Sequence, residues 1–205
     1  MLNQPAIYLA SSSPRRRDLL KQIGIPFQVL LLRNDPRRNV DVDEAPLQLE
    51  TPVNYVQRIC RAKAFAARDA LLFRNQRQAP VLAADTAVAL DNTIIVKPRD
   101  KQDAFAILRA LSGRKHQVYT AVAVILQERI ELRLSMSEVT FAALSDERIH
   151  RYILSNEAYD KAGAYGIQGL AGAFVQRIEG SYSGVMGLPL YETAELLHSF
   201  GYPAP

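Results

Sequence analysis

The fold is decided by one stretch near the start of the chain, Ala10-Ser11-Ser12-Ser13-Pro14-Arg15-Arg16-Arg17-Asp18-Leu19-Leu20. The apolar run over residues 6–10 predicts a short buried strand that ends at the serines. Ser13 is a favourable helix N-cap, and Pro14 suits the first helical position, where its missing N–H costs nothing. The stretch therefore predicts a strand, a turn and a helix that stops at Gly24.

Three consecutive arginines, Arg15, Arg16 and Arg17, fall in the first turn of this helix. Positive side chains are unfavourable at the positive end of a helix dipole, so an anionic ligand would compensate them. The alternative is an ordinary strand–turn–helix unit with solvated arginines. We expect this helix start to bind a group with several negative charges, such as a triphosphate.

The composition is that of an ordinary globular protein. The chain has 205 residues, 48% hydrophobic and 22% charged, and its net charge of +4 does not distinguish nucleic acid, membrane surface and small polyanion as partners. It has no repeat or flexible linker, so we expect one domain over residues 1–205. No run of about 18 apolar residues is present, and residues 1–5 lack the basic start of a signal peptide. The single cysteine, Cys60, excludes an internal disulfide and favours a reducing, cytoplasmic location.

The remaining hydrophobic patterns predict an α/β fold with a mixed sheet, because turn signals join some strands as hairpins. Strands are expected over residues 27–32, 81–84, 93–96, 118–126, 130–141 and 174–178. The apolar run over residues 87–90 is expected to form a hairpin with residues 93–96 around the turn at Asp91-Asn92, and residues 118–126 and 130–141 are expected to pair as a long hairpin. Helices are expected over residues 53–68 and 101–111, after Ser145, and after Pro189 with Leu190, Ala194 and Leu197 inward. Residues 71–79 are expected to form a polar connection.

The candidate catalytic residue is Asp85, which follows the apolar strand over residues 81–84. Proteins of the α/β class place catalytic groups beyond the carboxyl ends of such strands. A turn or cap aspartate is the alternative. His116 and His150 have no metal-ligand partners at suitable spacing, so we interpret both as structural or surface residues.

Other charged residues are candidates for the same site. Lys63 lies among alanines on the helix predicted over residues 53–68, so it either points into a cleft or lies along the surface. Asp41, Asp43 and Glu44 are either solvated or ligands for a hard divalent cation.

The segment over residues 160–187 holds seven of the chain's ten glycines. Glycine is used where the backbone turns sharply or comes close to a ligand. Gln168 lies between Gly166 and Gly169, and its amide can donate and accept at once, as reading one edge of a base requires. A glycine-rich surface loop is the alternative.

These residues suit the hydrolysis of a phosphate ester or anhydride. The first helix, Lys63 and Lys97 would hold the phosphates. Asp85 would act as a base or metal ligand, and Glu44 would hold the metal. Since no serine, cysteine or histidine is in a convincing nucleophilic setting, metal-assisted attack by water is the simplest scheme.

Several motifs, in their order along nearly the whole chain, resemble the Maf family of nucleoside triphosphate pyrophosphatases, also called septum-formation-inhibitor proteins. The motifs are Leu9-Ala10-Ser11-Ser12-Ser13-Pro14-Arg15-Arg16, Ala62-Lys63-Ala64, Ala84-Asp85-Thr86, Lys97-Pro98, Leu111-Ser112-Gly113 with His116, Val118 and Thr120, Lys161-Ala162-Gly163-Ala164-Tyr165-Gly166-Ile167-Gln168-Gly169, and Gly187-Leu188-Pro189-Leu190.

The resemblance implies hydrolysis of a nucleoside triphosphate to the monophosphate and pyrophosphate with a divalent metal cation, Mg²⁺ or Mn²⁺. Asp85 matches the proton acceptor of the family, and Arg15, Thr86 and Gln168 match its specificity determinants. The Ala-Asp-Thr and Tyr-Gly-Ile-Gln-Gly sequences are similar to the subgroup acting on dTTP and UTP, not to the one acting on 7-methyl-GTP. The predicted substrate-binding and specificity residues are Ser11, Arg15, Arg16, Lys63, Thr86, Lys97 and Gln168, and the predicted metal ligands are Glu44 and Asp85.

The fold implied by the resemblance is an elongated mixed β-sheet flanked by helices, with two lobes around a substrate cleft, similar to the inosine triphosphatase fold. Homodimers are common in the family. One departure is the loop over residues 33–39, which is longer and more basic than usual and leaves the choice among Asp41, Asp43 and Glu44 open.

Two other functions compete with this one. A nucleic-acid-binding or cell-division regulatory module without catalysis would use the basic residues alone, but the chain has no recognisable nucleic-acid motif and no cluster of stacking aromatics. The other is the same enzyme class with a purine preference.

Overall fold

The molecule is built on a seven-stranded sheet with helices on both of its faces. The computed structural model describes residues 6–33 and 41–204. The strands are β1 (Ile7–Leu9), β2 (Phe27–Val29), β3 (Val81–Leu90), β4 (Thr93–Ile95), β5 (Lys115–Leu126), β6 (Arg129–Phe141) and β7 (Val175–Glu179). The helices are α1 (Pro14–Gln22), α2 (Pro52–Phe73), α3 (Lys101–Leu111), α4 (Asp146–Leu154), α5 (Tyr182–Met186) and α6 (Leu190–Ser199).

The sheet is mixed, as the sequence predicts. Its order is β2-β1-β3-β5-β6-β7, with β4 paired to β3. β1 is parallel to β2 and β3, whereas β3, β5, β6 and β7 are successively antiparallel. β5 and β6 pair continuously as one long hairpin. The predicted mixed α/β architecture is therefore confirmed.

β3 is longer than predicted, and this corrects the position of Asp85. The strand does not end at Ala84 but continues to Leu90, so Asp85 lies in its middle. Pairing with β5 over residues 81–89 keeps the backbone extended through the aspartate. β1 pairs with β3 at residues 81–82, so Asp85 still lies beyond the carboxyl end of its parallel neighbour.

One edge of β3 is shared between two short strands. β1 pairs with it at residues 81–82 and β4 at residues 88–90, while β5 covers the opposite edge. Within the described ranges, no strand pairs with the shared edge over residues 83–87. This gap in the sheet edge, which contains Asp85 and Thr86, opens into a cleft.

Alternate residues of β3 face opposite sides of the sheet, and each side has its own core. Val81 and Ala83 belong to the cluster formed with α2, whereas Leu82 and Ala84 belong to the cluster formed with α1 and α6. A third cluster around Phe141 joins α3 and α4 to the far end of the sheet. The cleft therefore lies between two lobes of the molecule. One lobe contains the clusters formed with α2 and with α1 and α6, and the other contains the cluster around Phe141.

Several details of the elements differ from the prediction. α2 continues past Arg68 to Phe73, because Leu71 extends its buried stripe, so the connection predicted to begin at residue 71 starts later. β2 ends at Val29, short of Leu32. In α6 Leu197 is buried as predicted, but Leu190 and Ala194 are only half-buried, and Thr193 and Leu196 are buried instead. None of the helices in the described part of the chain is long and apolar enough to cross a membrane.

The histidines singled out from the sequence have structural and surface positions, as predicted. His116 is fully buried, its Nε2 lies 2.8 Å from the hydroxyl of Tyr165, and burial lowers its pKa to about 4. It is therefore neutral at pH 7. His150 is exposed on α4, with its ring centroid 4.7 Å from that of Phe105.

The substitution Phe141→Ala should lower the free energy of unfolding by about 3–5 kcal/mol. Phe141 is 1% exposed, and its ring packs against His116, Tyr165 and Phe174. Phe73→Ala is the matched control, since Phe73 is 90% exposed, and should change the free energy by less than about 0.5 kcal/mol. Urea denaturation followed by circular dichroism measures both, and equal losses would contradict this core assignment.

Candidate active site

The cleft has a volume of about 920 Å³, which suits a small-molecule ligand. Its walls are the start of α1, the middle of β3, the segment after β4 and the glycine-rich segment that begins at Asp160. Every site residue predicted from the sequence lines it, namely Ser11, Arg15, Arg16, Glu44, Lys63, Asp85, Thr86, Lys97 and Gln168. The structure thus brings these residues together, while their roles stay predictions.

Lys63 joins two carboxylates at the centre of the cleft. Its Nζ lies 2.7 Å from Oδ1 of Asp85 and 2.7 Å from Oε1 of Glu44. Its side chain is only 15% exposed, so the surface alternative for Lys63 is wrong. Lys97 adds a second, more exposed cation, with its Nζ 3.8 Å from Oε2 of Glu44.

The two carboxylates differ in their pKa shifts. Burial raises the pKa of Asp85 above its usual value, against the opposing charges of Lys63 and Arg16. Burial would also raise the pKa of Glu44, but Lys63 and Lys97 outweigh it and hold that pKa below its usual value. The cleft therefore contains one carboxylate that is a stronger base than usual and one that stays ionised.

The acidic residue that reaches the cleft centre is Glu44. Asp41 instead closes its own loop, with Oδ1 2.8 Å from Nη2 of Arg33. Asp43 accepts a hydrogen bond of 2.9 Å from the backbone N–H of Ala45. Of the three candidates, Glu44 is the one whose carboxylate contacts the cleft lysines. The unusual loop falls mostly on residues 34–40, outside the described residues.

The start of α1 follows the prediction, except for its cap. Ser13 precedes the helix and Pro14 is its first residue, but the Ser13 side chain makes no capping hydrogen bond. Instead the backbone N–H of Ser13 donates to Oγ of Ser11 over 3.2 Å. The first-turn N–H groups of the helix therefore remain available to an anion.

Arg16 ties the helix start to the two other walls. Its Nε donates to the carbonyl of Gly187 over 2.7 Å, and its Nη2 donates to Oγ1 of Thr86 over 3.2 Å. Its Nη1 donates to Oγ of Ser11 over 3.3 Å. A guanidinium has more N–H donors than these contacts use, so Arg16 can still bind a ligand.

Arg15 spans the cleft, whereas Arg17 does not line it. Nη1 of Arg15 lies 3.1 Å from Oδ2 of Asp160, which also pairs with Lys161. Nη2 of Arg17 donates to the carbonyl of Ser12 over 3.5 Å. Two of the three arginines thus face the space in which an anion would bind.

The glycine-rich segment holds Gln168 at the opposite wall. A Cβ at Gly166 would lie 2.8 Å from Cε of Lys161 and 3.1 Å from Nε2 of Gln168. A Cβ here would displace the flexible ends of both side chains, so glycine lets the backbone pass close to them without moving them. The side chain of Gln168 is exposed and keeps its amide free for a ligand.

Sequence reasoning gave no role to three residues in or behind the site, although Thr120 belongs to one of the motifs. The Tyr55 hydroxyl donates to the carbonyl of Glu44 over 3.0 Å, and its eight-residue spacing from Lys63 places both on one face of α2. Thr120 contacts Thr86 directly across the β3–β5 pairing, which only the register reveals. Asp160 had no distinguishing signal in the sequence.

The donor set bears on metal binding. Among residues 6–33 and 41–204, no group of three or more His, Cys, Asp or Glu side chains could hold a metal ion. Glu44 and Asp85 offer hard oxygen donors to one space, and Mg²⁺ in proteins commonly takes one or two carboxylates plus substrate phosphates. The residues present therefore fit a divalent cation that is completed by phosphate oxygens.

The substitution Lys63→Met should raise the pKa of both Glu44 and Asp85, because it removes the main opposing charge from each. Carboxyl ¹³C NMR titrations measure the change. Lys101→Met, on the exposed start of α3, is the matched control and should leave both pKa values in place. The depressed pKa of Glu44 adds stability that is present above its unfolded pKa and is lost as pH falls through its folded pKa, so this contribution should shrink in Lys63→Met. Unchanged titrations would contradict the bridge.

Comparison with known proteins agrees with these motifs. The family model described as Maf-like protein matches residues 6–200. The dTTP/UTP pyrophosphatase of Aromatoleum aromaticum is 52% identical over 201 residues, covering 98% of each chain. That of Nitrosomonas europaea is 54% identical over 195 residues, covering 95% of this chain and 94% of its own. The Staphylococcus aureus Ham1 protein, a solved structure, aligns with a TM-score of 0.46 and 15% identity over 67% of this chain and 72% of its own. The chain belongs to the Maf family.

Proposed function

We propose that this chain is a nucleoside triphosphate pyrophosphatase that hydrolyses dTTP and UTP to the monophosphate and pyrophosphate. The observation that supports this most directly is the single cleft in which the arginine-bearing start of α1 faces the carboxylates bridged by Lys63. The names of relatives about 50% identical over nearly the whole chain support the same activity and substrates.

The triphosphate binds at the start of α1. The first-turn N–H groups and the Ser11 hydroxyl are neutral donors, and Arg16 adds a fixed positive charge. Arg15 and Lys97 each hold a carboxylate in this structure, with Asp160 and Glu44 as their partners. Both can exchange that carboxylate for a phosphate oxygen, since neither ion pair is fully buried.

The chemistry takes place at the α-phosphorus. A water oxygen attacks it, the bond to the bridging oxygen of the β-phosphate breaks, and pyrophosphate leaves with that electron pair. Asp85 takes the proton from the water, and its raised pKa makes it a better base near neutral pH than an ordinary aspartate. Lys63 holds the carboxylate of Asp85 in place through its 2.7 Å contact. A divalent cation, Mg²⁺ or Mn²⁺, held by Glu44 and Asp85 would supply positive charge to the phosphates.

The base lies toward the glycine-rich wall. Gln168 has an amide N–H that can donate to a ring carbonyl oxygen of uracil or thymine, which leaves N3–H of the base for another acceptor. We also propose a single domain over residues 1–205, a cytoplasmic location and a homodimer. The unpaired Cys60 supports the location, and the resemblance to the family supports the homodimer.

The alternative of a nucleic-acid-binding or cell-division module has less support. A groove for a nucleic acid backbone would present cations to an open surface. Here Lys63, Arg15 and Lys97 lie beside the carboxylates Asp85, Asp160 and Glu44. Mixed charges of this kind are typical of a hydrolytic site that must also hold a base.

Asp85→Asn should reduce pyrophosphate release from dTTP by about 10²–10⁴-fold, because it removes the proton acceptor. The variant should be at least as stable as wild type at pH 7, since a carboxyl whose folded pKa is raised costs stability when ionised. Asp91→Asn is the matched control on the exposed β3–β4 turn and should keep full activity. Full activity in Asp85→Asn would show that the proposed role of Asp85 is wrong.

A panel of canonical and modified nucleoside triphosphates, scored for pyrophosphate release, tests the substrate class. We expect the highest rates with dTTP and UTP, and we expect Gln168→Leu to change the choice of base. A purine preference would favour the alternative of the same enzyme class acting on purine nucleotides. Salt-sensitive binding of DNA or RNA without turnover of any nucleotide would reject the enzyme.

A further inference from the structure

A chain of hydrogen bonds leads from the cleft into the protein through two threonines. Nη2 of Arg16 donates to Oγ1 of Thr86 over 3.2 Å. Oγ1 of Thr86 lies 3.0 Å from Oγ1 of Thr120, and Oγ1 of Thr120 lies 2.8 Å from the carbonyl oxygen of Gly184. The two threonines are direct partners in the pairing of β3 with β5.

The direction of this chain is fixed by its two ends. A guanidinium can only donate and a carbonyl oxygen can only accept. The single hydroxyl proton of Thr120 therefore points to Gly184, and the contact between the threonines must use the proton of Thr86. Every proton in the chain thus points away from Arg16.

The fixed direction of these hydrogen bonds limits what the Thr86 hydroxyl can offer a ligand. Its only proton is used by Thr120, so its oxygen has no proton left for a ligand in the cleft. It can offer only a lone pair. A phosphate oxygen is itself an acceptor at neutral pH and cannot be its partner, whereas a nucleobase N–H can.

The hydrogen bonds behind Thr86 lie in a buried, closely packed part of the protein. Thr120 is 1% exposed, so water cannot replace its partners. Gly184 lies in α5, and its N–H donates to Oγ of Ser181 over 3.0 Å. A Cβ at Gly184 would lie 3.1 Å from Oγ of Ser135, so the backbone is closely packed at the end of the chain.

We infer that Thr120 is a positioning residue for base selection, because it fixes the Thr86 hydroxyl as an acceptor that favours the N3–H of uracil and thymine over cytosine. Cytosine has an unprotonated N3, which would face the lone pair of Thr86 without a hydrogen bond. The inference takes its pyrimidine substrates from the proposed function. Those substrates share N3–H and the 3′-hydroxyl but not the 2′-hydroxyl. Of the two shared donors only N3–H is absent from cytosine, so selection of the base by Thr86 requires N3–H as its donor.

The test measures binding, so that it does not depend on turnover. Titration calorimetry gives the affinities of the full chain for α,β-methylene-UTP and α,β-methylene-CTP, whose α–β linkage cannot be hydrolysed. Wild type should prefer the uridine analogue by at least about tenfold, the value of one good hydrogen bond. Thr120→Val frees the Thr86 proton to donate to cytosine N3, and the preference should fall about tenfold.

Three further variants separate positioning from general damage to the fold. Thr120→Ser keeps the hydroxyl and should restore the preference. Thr140→Val, the same change on the neighbouring β6, should leave it at the wild-type value. Thr86→Val removes the acceptor itself and should lose the preference, which provides the answer if Thr120→Val does not fold.

An unchanged preference in folded Thr120→Val, or no preference in wild type, would overturn the inference. A preference that changes only between the uridine and 2′-deoxyuridine analogues would assign Thr86 to the sugar and would also overturn it. A wild-type preference for the uridine analogue that is lost in Thr120→Val, in a protein that releases no pyrophosphate from UTP, would reject the proposed activity and support the inference about Thr120.

Discussion

The site depends on the ammonium group of Lys63, which lies 2.7 Å from one oxygen of Asp85 and 2.7 Å from one oxygen of Glu44. Two carboxylates brought into one partly buried space repel each other and lose solvation, and a cation between them offsets both costs. Because Glu44 precedes α2, Lys63 is on α2 and Asp85 is on β3, the same contact joins three separate parts of the chain. The charge balance of the cleft and its geometry thus have one origin.

The sheet gives the adjacent residues Asp85 and Thr86 different partners. Adjacent residues of a strand face opposite sides, so Asp85 contacts Lys63 on the α2 side while Thr86 contacts Arg16 and Thr120 on the other. Both can be reached from one cleft because the edge of β3 is uncovered between β1 and β4. The gap in the pairing of β3 therefore allows the Asp85 carboxylate and the Thr86 hydroxyl to contact the same ligand.

The sequence predicted most of the fold, because helix starts and strand periodicity are local signals. The helix start at Ser13-Pro14, the β5–β6 hairpin and the mixed sheet all followed from such signals. The continuation of β3 through Asp85 was missed because it depends on pairing with β5, which is distant in sequence. The site residues were found through motifs, but the choice of Glu44 over Asp41 needed the ion pairs. Asp160 and Thr120 depend on contacts across the cleft and the sheet, which one sequence does not reveal.

In the proposed function, the start of α1 holds a triphosphate whose α-phosphorus faces Asp85. A crystal structure of the protein with α,β-methylene-dTTP tests it most directly. We expect phosphate oxygens on Arg16 and the first-turn N–H groups of α1, the α-phosphate next to the Asp85 carboxylate, and the base beside Gln168 and Thr86. A nucleotide bound in the reverse orientation, with its base at the start of α1, or bound outside the cleft, would contradict it.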